Sequence, residues 1–374
     1  MLWPLWYAGH LKFYPPDAHA RLMTQGFMGA FVLGFIGTAY PRLTGNRSWF
    51  GEELLLLLGI WIFTVTCHSV GDVHLGDRAF SALMAVLFTG MVWRWVFGNR
   101  DTPPPGFSLA LAGFLGASVA AGFLGWSRAL SPEAVLCARL FLFQGFLLLP
   151  LMGIGPYLLP RFFGVNSGHS FDDSPMPPPG WTRVAVRSLA AGLLVIVSFA
   201  LEVMEHPLAG QLLRAAVVLI WFAMETPLMR RAKLSTTPGN ALRWALASLV
   251  GGFICAALLP DSRIGSLHLF FVSGLGLLTL SAGTRVILGH AGRHDLLTGK
   301  IVWLRWVVGF VVLAALTRMS ADLLPKVRIS HHIYAAWTWA MAALVWLKVL
   351  AKYLFRKDEP EKTRSKCPRR GGAG

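Results

Sequence analysis

The stretch Phe107-Ser-Leu-Ala-Leu-Ala-Gly-Phe-Leu-Gly-Ala-Ser-Val-Ala-Ala-Gly-Phe-Leu-Gly-Trp-Ser127 contains no charged residue and no proline. One helical crossing of bilayer hydrocarbon takes roughly 20 such residues, and this run is long enough for one. Its apolar residues do not alternate with polar ones at every second position, which excludes a barrel strand and leaves the helix as the spanning solution. Outward from it, ten further runs of the same kind fall at about 22–40, 52–70, 79–97, 134–159, 184–204, 208–228, 240–259, 267–288, 301–319 and 332–355. Hydrophobic residues make up 55% of the 374 positions and charged ones 14%, too few to cover a water-soluble domain of this length. We therefore expect an all-α polytopic membrane bundle of about eleven helices, with residues 1–355 as the transmembrane domain and 356–374 as a basic, disordered cytoplasmic tail.

The formal charge of +16 would suggest nucleic acid in a soluble protein, but its placement points to a lipid bilayer as partner and not to nucleic acid. With the tail (Arg356, Lys357, Lys362, Arg364, Lys366, Arg369, Arg370) inside, eleven crossings put the N-terminus outside. Inside then fall Arg42, Arg47, Arg94, Arg100, Arg161, Arg183, Arg187, the cluster Arg230, Arg231, Lys233 and Arg243, and Arg293, Lys300 and Arg305. Most outer loops keep a single basic residue, namely Arg78, Arg128, Arg214 and Arg263. The outer loop with Arg318, Lys326 and Arg328 breaks the rule. The first twenty residues lack the uninterrupted apolar core of a cleavable signal, and we expect the chain to be one helix short at its start.

Cys67, Cys137, Cys255 and Cys367 share no close spacing, which argues against a zinc knuckle, an iron–sulfur motif or a disulfide framework. The absence of Cys-x-x-Cys-His likewise argues against covalent c-type haem. The segment 166–180, rich in Ser, Gly and Pro, reads as a linker. An internal echo joins helices one, five and nine, where Pro41-Arg42-Leu-Thr-Gly45, Pro160-Arg161-Phe-Phe-Gly164 and Arg285-Val-Ile-Leu-Gly289 each put an arginine shortly before a glycine. Cationic helix ends at an inner surface explain this without a repeat. A four-helix repeat unit explains it as well.

Eight of the eleven histidines, His10, His19, His68, His74, His206, His268, His331 and His332, fall at or near outer helix ends, with His169, His290 and His294 inside. Each alone suits a membrane boundary, but a haem or copper site needs imidazoles from different helices at one depth, and the outer level supplies them. Arg285 is the one deep cation, able to snorkel to inner headgroups or to neutralise an anionic cofactor group. No carboxylate sits clearly at the midplane, which weighs against an ion-coupled transporter. Glycines on helices one and nine allow close backbone packing, or clear space beside a flat macrocycle.

The run from His268 through Arg285-Val-Ile-Leu-Gly-His290-Ala-Gly-Arg293 resembles the signature stretch of the NnrS family, bacterial membrane proteins associated with nitric-oxide stress and described as carrying haem and copper. Gly34-Phe-Ile-Gly-Thr-Ala-Tyr-Pro-Arg-Leu-Thr-Gly45 is similar to a second family motif, and Gly153-Ile-Gly-Pro-Tyr-Leu-Leu-Pro-Arg-Phe162 to a third. The resemblance implies a twelve-helix layout in the bacterial inner membrane, haem b and possible copper as cofactors, and nitric oxide as a ligand. Where the family shows His-x-His-Glu-Met, this chain has Asp17-Ala-His19-Ala-Arg21, one histidine in place of two, which removes a ligand from any second metal centre. Cofactor contacts are expected at His19, His268 and Arg285, and metal ligands at His19, His268 and His290, with His19 and His268 as the two axial ligands of one haem near the outer face. A transporter of a small metabolite or metal complex fits the helix count equally, and an assembly factor without a cofactor is a third class. The sequence names neither a reaction nor an electron donor.

Overall fold

The computed structural model describes residues 2–98, 101–127, 129–226, 236–297 and 299–354. Among them are eleven helices long and apolar enough to cross a membrane, and no strand. They are α1 Pro16–Leu43, α2 Gly51–Ser69, α3 Val73–Gly98, α4 Phe107–Trp126, α5 Pro132–Phe163, α6 Trp181–Val203, α7 Pro207–Glu225, α8 Thr237–Leu258, α9 Pro260–His290, α10 Val302–Leu323 and α11 Pro325–Leu354. The tail 356–374, the cluster Arg230, Arg231 and Lys233, and Arg100 and Arg128 lie outside the described residues.

Several helices begin earlier than their apolar runs. Helix α1 starts at Pro16, whose missing N–H costs nothing in a first turn, and Asp17 complements the helix dipole there. His19 is therefore inside the first turn of α1, and His268 lies more than two turns into α9, so neither marks a helix start as the sequence suggested. A short helix, Leu2–Tyr7, precedes α1 and packs on α11.

Successive helices pack side by side, α2 to α4 and α6 to α8 forming antiparallel series, while α4 leans on α5 and α8 on α9. The core between them is aromatic: Phe80, Phe114 and Phe146 are buried, with the Phe80 and Phe146 rings edge to face at 5.3 Å. Leu55, Leu56, Ile62 and Phe63 of α2 face outward, as a lipid-exposed helix requires. The small residues of α9 are spent on packing rather than on clearing space. A Cβ at Gly274 would lie 2.6 Å from Leu249 of α8, and one at Gly283 would lie 3.0 Å from Phe31 of α1 and 3.1 Å from Trp346 of α11.

Among the described residues, π-helical segments occur in α1, α5 and α9 alone: Leu22–Met28, Phe141–Gly145 and Leu269–Gly276. These are the three helices that share the arginine–glycine echo. Each segment carries a buried polar side chain followed by glycine, Gln25-Gly26, Gln144-Gly145 and Ser273-Gly274. Each of these side chains reaches another helix: Gln25 Nε2 donates to Asp77 of α3 (2.7 Å), Gln144 Oε1 accepts from Arg214 of α7 (2.6 Å), and Ser273 bonds Ser248 of α8 (2.8 Å). The wider turn of a π segment aims a side chain that a regular helix would direct elsewhere. This recurrence favours the four-helix repeat over the account based on helix ends alone.

Arg214 is not a loop residue. It lies within α7, fully buried, where its guanidinium donates to Ser198 Oγ (2.9 Å), Gln144 Oε1 and Glu202 Oε1 (2.7 Å) and lies over Phe199, its centre 4.4 Å from that ring's. Glu202 also accepts from Gln211 Nε2 (2.8 Å) and from Arg263. A charge counted as a loop cation is thus neutralised inside the bundle, which a count of basic residues per loop does not reveal. Replacing Glu202 by Ala strands both guanidinia. We expect a loss of about 3–5 kcal/mol of stability, read as a lower thermal midpoint of the detergent-purified protein. An unchanged midpoint would show the cluster to be dispensable.

Candidate functional site

The alternation of eleven helices brings most of the histidines to one end of the bundle, where several bond a carbonyl or hydroxyl of a neighbouring helix. His74 Nδ1 meets the Leu124 carbonyl (2.9 Å), His331 Nδ1 meets Ser320 Oγ (2.8 Å) and His332 Nδ1 meets the Tyr7 hydroxyl (2.9 Å). Of all these, two rings are paired. His19 and His268 have ring centres 6.3 Å apart and planes inclined by 12°.

Each member is held differently. Nδ1 of His268 donates to the Ile264 carbonyl at 2.7 Å, a bond one turn back along α9 that fixes the tautomer and leaves the Nε2 lone pair free for a metal. The His19 ring has no hydrogen bond to a described group, and its position comes from the backbone. Two residues on, the buried Arg21 grips Asp77 of α3 through Nε (2.9 Å to both oxygens) and Nη2 (2.6 Å). Gln25 joins the same carboxylate and in turn bonds His68 Nε2 of α2 (2.8 Å). Asp17, on the outer side, pairs with Arg139 of α5 (3.0 Å). Helix α1 is thereby tied to three others on either side of His19. Below the pair, Thr279 Oγ1 of α9 donates to Met28 Sδ of α1 (3.3 Å).

Two imidazoles on opposite faces of one iron, with bonds of about 2 Å and ring centres about 1.2 Å behind the nitrogens, have centres about 6.4 Å apart. The observed separation fits that ligand set. The other site residues read from the sequence are not brought to the pair. Arg285 and His290 follow His268 on the same helix by 17 and 22 residues (285 − 268 and 290 − 268), about 25 and 33 Å at about 1.5 Å per residue. Arg285 instead covers the Phe162 ring at 4.8 Å, and His290 is exposed at the end of α9. Among the described residues no three His, Cys, Asp or Glu side chains converge.

What the sequence reading passed over is the wall beside the pair. A Cβ at Gly265 would lie 2.7 Å from Asp322 Oδ2 and 3.2 Å from the Met319 carbonyl, which sets α10 against α9 one turn outside His268. One turn deeper on α10 is Arg318, which donates to Asp322 Oδ1 at 2.9 Å. The excess of cations in that outer loop was the available signal, since Arg318 is a residue of α10 and not of the loop.

A family model described as "NnrS protein" matches residues 1–357. The chain belongs to the NnrS family. No curated protein and no solved structure matches it. In this NnrS-family chain the structure sets His268 of α9 against His19 of α1.

The pairing is testable without any cofactor. In a background lacking Cys67, Cys137, Cys255 and Cys367, and with a protease site between α5 and α6, a short bifunctional thiol reagent is expected to join the two fragments of the H19C/H268C variant. Fragments of H19C/H290C are expected to separate on a denaturing gel. Separation of both would place the two helices apart.

Proposed function

We propose that this NnrS-family protein is a b-type haem protein of the bacterial inner membrane, with His19 and His268 as axial ligands near the outer face and a role in the response to nitric oxide. The observation that carries the reading is the near-parallel pair at 6.3 Å, one member already committed through Nδ1 to a backbone carbonyl. A haem held by His19 and His268 would supply one-electron chemistry. The protein's part is to hold two neutral rings at one depth. His268 would be oriented by Ile264, and His19 would be held through the helix that Arg21, Gln25 and Asp17 anchor.

The orientation that goes with this reading has the N-terminus outside and the C-terminus cytoplasmic, supported by the basic residues at the opposite end of the bundle. An alkaline-phosphatase fusion after residue 354 is expected to be inactive, and strong activity would invert the topology.

The purified protein is expected to show a Soret band and a pyridine-haemochrome of b type. H19A and H268A should each lose most of the haem or change the reduced-minus-oxidised spectrum, because one axial bond is gone. A colourless protein that takes up no haemin would overturn the reading and favour a transporter of a small metabolite or metal complex.

A further inference from the structure

The wall beside the histidine pair is built for an anion. Arg318 is 13% exposed as a side chain, and only Nη1 is engaged, donating to Asp322 Oδ1 at 2.9 Å. Its Nε and Nη2 donate to no described group. His332 of α11 is 6% exposed, and its buried Nε2 has no partner. Its other nitrogen faces the Tyr7 hydroxyl at 2.9 Å, and Trp3 covers the ring at 4.8 Å. Burial, with Tyr14 alongside, raises the Tyr7 phenol above its usual range, so it stays protonated. In the tautomer in which the phenol donates to Nδ1, the proton of the neutral imidazole is on Nε2. His332 then presents a buried N–H donor without an acceptor, a costly arrangement unless something accepts from it. Ser320, two positions from Arg318 on α10, bonds His331 beside His332 at 2.8 Å, and Asp322, which holds Arg318, packs on Gly265 of α9 one turn from His268, so cation and donor lie at the end of the bundle that holds the ring pair.

We propose that Arg318 and His332 form a carboxylate-binding site that receives the acidic groups of the macrocycle carried between His19 and His268. The proposal rests on the haem reading above and assigns Arg318, not Arg285, as the neutralising cation. Two nitrogens of a guanidinium suit a carboxylate, and His332 adds a second donor from a different helix. Asp322 orients Arg318, and the Leu2–Tyr7 helix, through Tyr7 and Trp3, orients His332.

The test titrates the full-length apoprotein with haemin and with haemin dimethyl ester, in which both carboxylates are blocked. Wild type is expected to bind haemin about tenfold or more tightly than the ester, and R318Q and H332L should each cut that ratio, with R318K retaining part of it. Equal affinity of wild type for the two, with an intact low-spin spectrum, would overturn this site while leaving the haem reading standing. Binding of neither would overturn the haem reading and the carboxylate site together. The wild-type comparison decides the matter even where a variant does not fold.

Discussion

The grip of Arg21 on Asp77 is the interaction on which the outer end of this bundle depends. Both side chains are buried and three contacts join them, so neither charge faces lipid and neither can be removed singly without stranding the other. The pair also sets geometry. Arg21 is two positions from His19, and Gln25, one turn on, extends the same bond network to His68. A helix that begins at a proline after an irregular segment is in this way fixed against α2, α3 and α5, with its imidazole at the depth of the one on α9.

The spans were legible because lipid imposes a simple rule: about twenty apolar residues per crossing and all backbone groups satisfied within the helix. All eleven apolar runs became helices. The ends were less legible, since Pro16 and Pro260 open helices by turns whose polar residues look like loop in a hydropathy reading. Charged residues inside the bundle were the real blind spot. Arg21 cancels Asp77 two helices on, and Glu202 cancels Arg214 across the turn between consecutive helices, and a count of apolar runs records neither pairing.

The candidate site was legible by half. His19 and His268 were named from their motifs and common depth, and the structure brings their rings together. Arg285 and His290 were named from the same motif, but a straight helix of α9's length carries them to its far end. Arg318 was visible only as a breach of the charge rule. A cation kept on the side where cations are scarce needs a reason, and here it is held by Asp322, which packs on α9 one turn from His268.

The repeat accounts for why the pair joins α1 to α9 and leaves α5 out. In α1 a histidine precedes the polar π-segment residue by six positions (25 − 19), and in α9 by five (273 − 268). The corresponding places in α5, six and five before Gln144, hold Ala138 and Arg139. Arg139 turns to Asp17 of α1 instead of offering a ligand. Where α1 and α9 end their π segments in Met28 and Gly276 and pack on each other through Thr279, α5 ends its own beside the closed Arg214–Glu202 cluster. One helix design thus serves two ends: a pair of rings where α1 and α9 carry histidine, and, where α5 carries none, a glutamine that closes the buried Arg214–Glu202 cluster.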